Sequence, residues 1–375
     1  MRVAIIHEWL ASYAGSEKVV EQILSLYPDA DLFSLVDFLP TELRHFIHHK
    51  SVQTSFIQTL PFAKKHFRQY LPLMPLAIER FDLSGYDLIV SSHHAVAKGV
   101  LNRADQLHIS YVHTPIRYAW DLQAQYLQET GLNQGLKGLL VQLVLHYLRL
   151  WDVNSANRVD AFLANSAHVA RRIWKTYRRQ AQVIYPPVEI QRFHPQIQRD
   201  NFYFTLSRFV PYKRVDLIVA AFTQLALPLV VMGDGPDLQR IQALAGPHVQ
   251  LLKPQSNAVV EDYMQRCKAF VFAAEEDFGI SLVEAQAAGA PVIAYGQGGA
   301  AEIVIHGKTG LLFREQTVES LMETIGIFES NAYHFSLNDI SQNAERFSQA
   351  CFRQRFITFV NQTWTDFDRG NGIEY

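Results

Sequence analysis

Short apolar runs alternate with amphipathic segments along the whole chain. Val3–His7 and Leu107–Val112 have the length and composition of buried parallel strands. Glu17–Leu26 and Val215–Leu225 carry apolar residues at helical spacing. This alternation predicts an α/β fold in which parallel sheets are covered by helices. The other runs interpreted as strands are Leu32–Val36, Asp87–Ser91, Ala161–Ala164, Phe202–Leu206, Leu229–Met232, Val249–Leu252, Ala269–Ala273 and Val292–Tyr295.

A pair of prolines, Pro186-Pro187, interrupts this alternation near the middle of the chain. Proline stops helices and central strands, and the strand–helix pattern begins again after the pair. We therefore predict two doubly wound domains, residues 1–185 and residues 186–349. Aromatic and aliphatic side chains recur from Ala344 to Trp364 and predict a long helix. We expect the C-terminal segment 350–375 to return to the first domain.

Composition places the chain among globular proteins and limits the ligands and the cellular compartment that we expect for it. It is 49% hydrophobic and 19% charged, and its net charge of −2 does not indicate nucleic-acid binding. Its two cysteines, Cys267 and Cys351, form no disulfide or metal-binding pattern, which favours a reducing cytoplasm. The strand that follows Met1 at once leaves no room for a signal peptide. The apolar segment Leu136–Trp151 is too short and too charged to span a bilayer.

The segment Ile47–Phe81 interleaves aromatic and basic residues. Such a mixture suits a surface that lies on anionic lipid, which would place the protein at the inner face of a membrane. It equally suits short helices that cap the sheet while Lys and Arg extend their charged ends into water. Both interpretations stay open at the level of the sequence.

Two carboxylates follow the apolar run Ala269–Ala273 and point to a ligand site. Glu276 falls in the loop after this strand, and Glu284 falls near the start of the next helix. Ligands of open α/β sheets bind outside the carboxyl ends of strands, where helix N-termini are also found. Glu284 has a structural alternative, because Ser281-x-x-Glu284 has the pattern of a capping box. Glu276 has none.

Two cations, Arg208 and Lys213, flank a proline-containing loop after the strand Phe202–Leu206. Their placement suits a diphosphate, although a solvated basic turn is the alternative. Common nucleotide fingerprints are missing, since Leu238 stands where the dinucleotide motif needs a third glycine. Asp29-Ala30-Asp31 precedes a strand instead of following one, so a metal role there is disfavoured.

The first half of the chain has two further candidates. Gly15 lies in the loop after Val3–His7 and would let the backbone approach a phosphate or a sugar hydroxyl. The alternative is an ordinary βα loop with Ser16 as helix N-cap. His113 follows the strand Leu107–Val112 directly, and this position alone distinguishes it from the other histidines.

Together these motifs resemble one known family. Glu276 and Glu284 form a Glu-x7-Glu pair around Phe278-Gly279, and Arg208-x4-Lys213 resembles the diphosphate clamp of the same family. Ala14-Gly15-Ser16-Glu17 resembles its glycine loop, although Ala14 replaces a first glycine, and His113-Thr114-Pro115 resembles its histidine motif. The family is that of the retaining group 1 glycosyltransferases, which use nucleotide sugars. It implies the GT-B fold, two Rossmann-like domains facing a cleft with a C-terminal helix that returns to the N-terminal domain.

The resemblance also implies roles for individual residues. Glu276 would accept hydrogen bonds from the donor sugar, and Glu284 would hold the ribose. Arg208 and Lys213 would neutralise the diphosphate, and His113 would contact the sugar near the reacting carbon. The backbone would contribute through Gly15 in the first domain and, in the second, through amides of Phe278, Gly279, Ile280 and Ser281.

The pattern that includes His7-Glu8-Trp9 and His113-Thr114-Pro115-Ile116-Arg117-Tyr118 looks like mannosyltransferases of surface-polysaccharide assembly. That resemblance implies GDP-mannose as donor, a glycan or lipid-linked acceptor, and catalysis without a metal or other cofactor. Two alternatives remain at this stage. A nucleotide-sugar epimerase shares the architecture, and a non-catalytic protein of the same fold could bind sugar nucleotides alone.

Overall fold

The computed structural model describes residues 1–121, 123, 124, 127 and 135–371. They form two compact units. The N-terminal unit comprises Met1–Pro186 and the C-terminal segment that starts at Phe352, and the C-terminal unit comprises Pro187–Cys351. Each contains a parallel sheet covered by helices, so the predicted α/β class with two doubly wound domains is confirmed.

In the described residues, the N-terminal unit has a seven-stranded sheet with the order β3-β2-β1-β4-β5-β6-β7. All neighbouring strands in it pair in parallel. From β1 the chain adds strands first on one side, as β2 and β3, and then on the other side, starting with β4. Open sheets bind ligands at such a switch point, which here lies between β1 and β4. The strands are β1 (Val3–His7), β2 (Asp31–Ser34), β3 (Val52–Thr54), β4 (Leu88–His93), β5 (Leu107–Val112), β6 (Ala161–Ala164) and β7 (Ala181–Val183).

Helices cover both faces of this sheet. Because successive side chains of a strand point to opposite faces, Ile5 joins one apolar cluster and Ile6 joins another. Phe352 and Phe356 of the C-terminal helix are buried in the same cluster as Ile5, which confirms that this helix returns to the N-terminal unit. The helices of this unit are α1 (Gly15–Leu26), α2 (Ala63–His66), α3 (Met74–Glu79), α4 (Gly135–Ser155) and α5 (Ala167–Tyr177).

The described part of the C-terminal unit has a six-stranded parallel sheet with the order β10-β9-β8-β11-β12-β13. In this sheet the switch point, at which the chain begins to add strands on the other side, lies between β8 and β11. The strands are β8 (Tyr203–Leu206), β9 (Leu229–Met232), β10 (Val249–Leu252), β11 (Ala269–Phe272), β12 (Val292–Tyr295) and β13 (Gly310–Phe313). The helices are α6 (Val215–Leu225), α7 (Leu238–Leu244), α8 (Asn257–Arg266), α9 (Ile280–Ala287), α10 (Ala300–Ile303), α11 (Val318–Glu329) and α12 (Leu337–Glu345). The last helix, α13 (Gln349–Asn371), begins in this unit and belongs to the N-terminal unit from Phe352 onward.

The long helix predicted from Ala344 is interrupted near its start. Helix α12 ends at Glu345, and α13 begins at Gln349. Phe347 lies in the turn between them, where its carbonyl accepts a hydrogen bond from the amide of Val188 at 2.9 Å. Its ring packs against Phe278 with the ring centroids 5.6 Å apart. One aromatic residue of the predicted helix, Phe347, therefore lies outside the helix and packs within the C-terminal unit.

The segment Ile47–Phe81 consists largely of short helical turns that cover one edge of the N-terminal unit. Ile57 and Met74 are buried in the apolar cluster around Ile6, as expected for a cap on the sheet. Phe62 is nevertheless 80% exposed. No helix within the described residues is both long enough and apolar enough to cross a membrane.

Candidate functional site

In the C-terminal unit, the predicted diphosphate cations and the predicted sugar-binding carboxylate lie at the carboxyl ends of the neighbouring strands β8 and β11. Arg208 and Lys213 follow β8, and Glu276 follows β11. The ammonium group of Lys213 pairs with the carboxylate of Glu276. Arg208 is exposed, and in the part of the chain that the structure describes its guanidinium forms neither an ion pair nor a hydrogen bond.

The loop that carries Glu276 is fixed by a second glycine-rich loop. The amide of Gly299 donates a hydrogen bond to the carbonyl of Glu276 at 2.8 Å. A Cβ atom on Gly298 would lie 2.3 Å from that carbonyl oxygen, and one on Gly299 would lie 2.0 Å from the carbonyl of Phe278. Gly298 and Gly299 therefore let their backbone approach this loop closely. This approach holds Glu276 in place at the end of β11.

Helix α9 starts immediately after this loop. Gly279 is its N-cap with φ +106°, a conformation that glycine adopts without strain, and the helix begins at Ile280. Ser281 is therefore the second helical residue and cannot act as N-cap, so the predicted Ser281-x-x-Glu284 capping box is wrong. The predicted backbone donors at the start of α9 occupy the positive end of the helix dipole.

Glu284 lies one turn further along α9 and is 8% exposed. Its Oε1 accepts a hydrogen bond from Nη2 of Arg192 at 2.8 Å, and Nη1 of Arg192 bonds to Glu261 at 3.0 Å. A buried carboxylate needs such a partner because transfer of a charged group from water into the protein interior costs free energy. Sequence reasoning missed Arg192, since it lies in an irregular segment with no recognisable spacing.

In the N-terminal unit, Gly15 is the first residue of α1 and follows the loop after β1. The N-cap is Ala14, so the prediction that Ser16 caps the helix is wrong. Instead Glu17 reaches back, and its Oε2 accepts hydrogen bonds from the amide of Ala14 and the hydroxyl of Ser16, each at 3.0 Å. Glu17 thereby makes the half of a capping box that runs from the third helical residue back to the amide of the N-cap.

His113 follows β5 and is tied to the ends of two neighbouring strands. Its Nε2 lies 2.9 Å from Oγ of Ser92 in β4. The same Oγ lies 3.1 Å from Nδ1 of His7 in β1, and Nε2 of His7 lies 3.3 Å from Oε1 of Glu17. Burial lowers the pKa of His113 well below its usual value, so its imidazole is neutral near pH 7. His7, Glu17 and Ser92 were not among the predicted site residues, although His7 and Glu17 stand within the motifs that carried the resemblance.

A second carboxylate fixes the loop beside this cluster. Glu8 is buried, and it accepts hydrogen bonds of 2.7–3.0 Å from the four successive amides of residues 94–97. Burial alone would raise the pKa of Glu8, but hydrogen bonding with His93, attraction to His94 and the backbone donors together lower it. The ionised Glu8 therefore anchors the loop after β4 beneath the end of β1.

The predicted residues thus fall into two groups, one in each unit. Gly15 and His113 lie in the N-terminal unit, and Arg208, Lys213, Glu276 and the start of α9 with Glu284 lie in the C-terminal unit. Among the described residues, no group of three or more histidine, cysteine or acidic side chains is arranged to hold a metal ion. In the C-terminal unit, the cations and the backbone amides suit the binding of a phosphorylated ligand. In the N-terminal unit, the neutral imidazole of His113 can form a hydrogen bond with a hydroxyl.

Both halves of the chain match models of glycosyltransferase families. Residues 188–347 match the model described as glycosyl transferases group 1. Residues 33–192 match the model described as glycosyltransferase family 4. The first model includes every predicted site residue of the C-terminal unit, and the second includes His113 but not Gly15.

Two curated relatives illustrate the sequence similarity. An uncharacterized glycosyltransferase of Methanocaldococcus jannaschii is 27% identical over 246 residues, which are 64% of this chain and 65% of that protein. The GDP-mannose-dependent alpha-(1-6)-phosphatidylinositol monomannoside mannosyltransferase of Mycobacterium tuberculosis is 33% identical over 138 residues, which are 32% of this chain and 36% of that protein. The chain thus spans less than two thirds of the length of either relative.

Solved structures share the fold at low sequence identity. Sucrose-phosphate synthase from Thermosynechococcus elongatus superposes with a TM-score of 0.72 at 16% identity, covering 98% of this chain and all of that one. HepE of Anabaena, solved with UDP-glucose, superposes with a TM-score of 0.69 at 18% identity, covering 96% of this chain and all of that one. These similarities agree with the GT-B fold of two parallel-sheet domains.

Proposed function

Because residues 33–192 and 188–347 belong to glycosyltransferase family 4 and to the group 1 glycosyl transferases, we propose that this protein is a retaining, metal-independent hexosyltransferase. The observation that carries the proposal is the pairing of Lys213 with Glu276 beside the exposed Arg208. In the proposed site, Lys213 would bind the departing diphosphate and Glu276, beside it, would accept hydrogen bonds from sugar hydroxyls. An anion-binding turn alone would not need the carboxylate.

The chemistry follows from these groups. Departure of a nucleoside diphosphate develops negative charge, which Arg208, Lys213 and the N-terminus of α9 would stabilise through fixed positive charge. Glu276 would orient the sugar, and Glu284 would bind the ribose. His113 would contact the sugar near the reacting carbon, and Gly15 would let the backbone approach the phosphate or the sugar. The oxygen of the acceptor hydroxyl would form its bond to the reacting carbon on the same face from which the diphosphate departs, so that the configuration there is retained. The departing phosphate would take the proton of this hydroxyl.

We propose GDP-mannose as the donor and a glycan or lipid-linked saccharide as the acceptor. The name of the mycobacterial relative, which is GDP-mannose-dependent, supports this choice. HepE was solved with UDP-glucose, so UDP-sugars are the competing donor class to be tested. A lipid-linked acceptor would require contact with a membrane, and we propose a surface of this chain for that contact.

That surface would be formed by the segment 47–81 together with α4. Lys64 and Lys65 are exposed beside Phe62, and residues 53–78 contain no acidic side chain. Helix α4 packs beside this segment, because Leu148 lies in one apolar cluster with Leu71. Its outer face carries large side chains that are 47–63% exposed: Leu139, Leu140, Leu143, Tyr147 and Leu150. Exposed apolar groups with neighbouring cations and no acids suit the interface of an anionic bilayer.

A donor panel tests the proposed function. The full chain is mixed with GDP-mannose, UDP-glucose or UDP-N-acetylglucosamine, and both thermal shift and release of nucleoside diphosphate are measured, with and without chelator. We expect GDP-mannose to raise the melting temperature most and to be turned over in the presence of chelator. Binding without release of diphosphate would contradict transferase activity, and conversion of the sugar without any acceptor would indicate an epimerase.

A further inference from the structure

Two polar side chains, His7 and Ser92, connect His113 to the buried carboxylate of Glu17 in the N-terminal unit. The bonds run from Glu17 Oε1 to His7 Nε2 at 3.3 Å, from His7 Nδ1 to Ser92 Oγ at 3.1 Å, and from Ser92 Oγ to His113 Nε2 at 2.9 Å. Glu17, His7 and Ser92 are buried, at 3%, 0% and 0% exposure. We call these four residues the His113 chain. Because His7 and Ser92 each bond to a neighbour on either side, the hydrogen-bond directions along the chain depend on one another.

The carboxylate at one end sets these directions. Burial alone would raise the pKa of Glu17, but hydrogen bonding and attraction to His7 lower it to about 2, so the group is ionised at neutral pH. An ionised carboxylate only accepts hydrogen bonds, so Nε2 of His7 must donate to it. With a single ring proton on His7, that proton lies on Nε2 and Nδ1 accepts. The hydroxyl of Ser92 then donates to His7 and accepts from Nε2–H of His113. Nδ1 of His113 is left with its lone pair.

We propose that Glu17, His7 and Ser92 are positioning residues that hold the proton of His113 on Nε2 and so present Nδ1 as an acceptor for a hydroxyl of the donor sugar. Within the described residues, Nδ1 of His113 has no hydrogen-bond partner that would compete with such a hydroxyl. The assigned tautomer is a property of the N-terminal unit alone, whereas its use in binding sugar rests on the proposed function.

Substitution of Glu17 by glutamine should reverse the chain without breaking it. Oε2 of Glu17 accepts hydrogen bonds from the amide of Ala14 and the hydroxyl of Ser16. The single oxygen of glutamine must take that position, so its NH2 group faces Nε2 of His7. His7 then accepts there and carries its proton on Nδ1, Ser92 donates to His113, and the proton of His113 moves to Nδ1. The carboxamide thus selects the wrong tautomer, as replacement of an acidic residue by its amide does in other histidine-containing sites.

Nitrogen-15 NMR of the histidine rings, recorded on the full chain at about pH 8 where free imidazole is neutral, measures this tautomer directly. We expect the proton on Nε2 of His113 in the wild type and on Nδ1 in Glu17→Gln. The matched control is Glu21→Gln, which changes the neighbouring carboxylate of α1 that binds the hydroxyl of Tyr13 at 2.7 Å. It should leave the wild-type tautomer. An identical tautomer in Glu17→Gln and wild type would overturn the proposal.

A second variant covers the case in which Glu17→Gln does not fold. Ser92→Ala removes the acceptor of the His113 N–H, so this proton should exchange with water faster. Ser91→Ala is its control, because Ser91 Oγ makes an equivalent 2.9 Å contact with Nε2 of His108, which lies outside the His113 chain. Unchanged proton exchange in Ser92→Ala would contradict the assigned bond.

Transfer kinetics then separate positioning from folding. We expect Glu17→Gln to lower kcat/KM for the donor roughly 10- to 100-fold, the cost of one mismatched buried hydrogen bond, and Ser92→Thr to retain more activity than Ser92→Ala. A changed tautomer with unchanged kinetics would overturn the role in sugar binding. If the tautomer changes as expected but the wild type transfers no sugar from any donor, the proposed function fails and the tautomer assignment stands.

Discussion

The ammonium group of Lys213 pairs with the carboxylate of Glu276 at the carboxyl ends of two adjacent strands. Each side chain is 18% exposed, so the pair is largely shielded from water and each group limits the rotamers of the other. A nucleotide sugar that binds here would find the cation of Lys213 and the carboxylate of Glu276, which can accept hydrogen bonds from sugar hydroxyls, already in place. Such preorganisation is what makes fixed charges effective in catalysis.

Glu276→Gln is expected to slow sugar transfer by roughly 100- to 1000-fold, since the amide keeps the size of the side chain but loses its charge. The melting temperature should barely change, because the amide oxygen can still accept a hydrogen bond from Lys213. Glu275→Gln, at the exposed neighbouring position, is the control and should transfer sugar normally. Diphosphate release and thermal melts of both variants measure this, and near-normal turnover of Glu276→Gln would remove Glu276 from the site.

Arg208→Ala should also reduce turnover roughly 100- to 1000-fold, by loss of a fixed charge at the departing diphosphate. Its effect on stability should be negligible because Arg208 is exposed and, among the described residues, its side chain is unpaired. Arg240→Ala provides a matched control, since Arg240 is a surface arginine whose only described ion pair is with Asp216. Comparable turnover in the two variants would contradict the diphosphate role.

Strand-end positions could be predicted from the sequence because they depend on local patterns. Apolar runs located β5, β8 and β11, and the carboxyl end of each run identified His113, Arg208 and Glu276 as candidates. Strands β3 and β13 were missed. β3 has only three residues, of which Val52 alone is apolar, and this gives too little pattern to count.

Partners that come from elsewhere in the chain could not be predicted in this way. Arg192 reaches Glu284 from an irregular segment 92 positions earlier, and no spacing connects the two. Ser92 reaches His7 and His113 only because β4 lies between β1 and β5. The capping box at Ser281 failed for a related reason, because Gly279 has a left-handed conformation that starts the helix two residues earlier.

The pair of Arg192 and Glu284 should couple stability to donor binding. Both side chains are largely buried, at 18% and 10% exposure. Arg192→Met removes the guanidinium that pairs with the carboxylate of Glu284, and it should lower the free energy of unfolding by about 1–3 kcal/mol. The loss should be smaller when Glu284→Gln is already present, because the amide carries no charge. Urea unfolding of the single and double variants measures this coupling, and strictly additive effects would contradict it. Glu284→Gln should in addition raise KM for the donor.

The buried His108 predicts destabilisation in mild acid. Burial lowers its pKa from the usual 6.5 to about 3, so between these values the unfolded chain binds a proton that the folded chain does not. The free energy of unfolding should therefore fall as pH drops below 6.5, by up to about 1.4 kcal/mol per pH unit from this residue. Unfolding at several pH values should show a shallower slope for His108→Gln than for the wild type. His146→Gln, at an exposed position of α4, serves as control, and equal slopes in all three proteins would argue against a buried neutral His108.

Membrane contact through residues 47–81 and α4 predicts two separable effects. Lys64→Glu with Lys65→Glu should weaken binding to vesicles that contain phosphatidylserine by at least roughly tenfold, since each cation near an anionic surface contributes about 1 kcal/mol. Leu140→Ser with Leu143→Ser should weaken binding at high salt as well, because it removes apolar groups that salt does not screen.

Lys253→Glu with Lys308→Glu makes the same charge change at exposed lysines of the C-terminal unit and should have little effect. Co-sedimentation with vesicles, alongside neutral vesicles of phosphatidylcholine, measures all three. Binding that is unchanged in the first two variants would exclude this surface as the membrane contact.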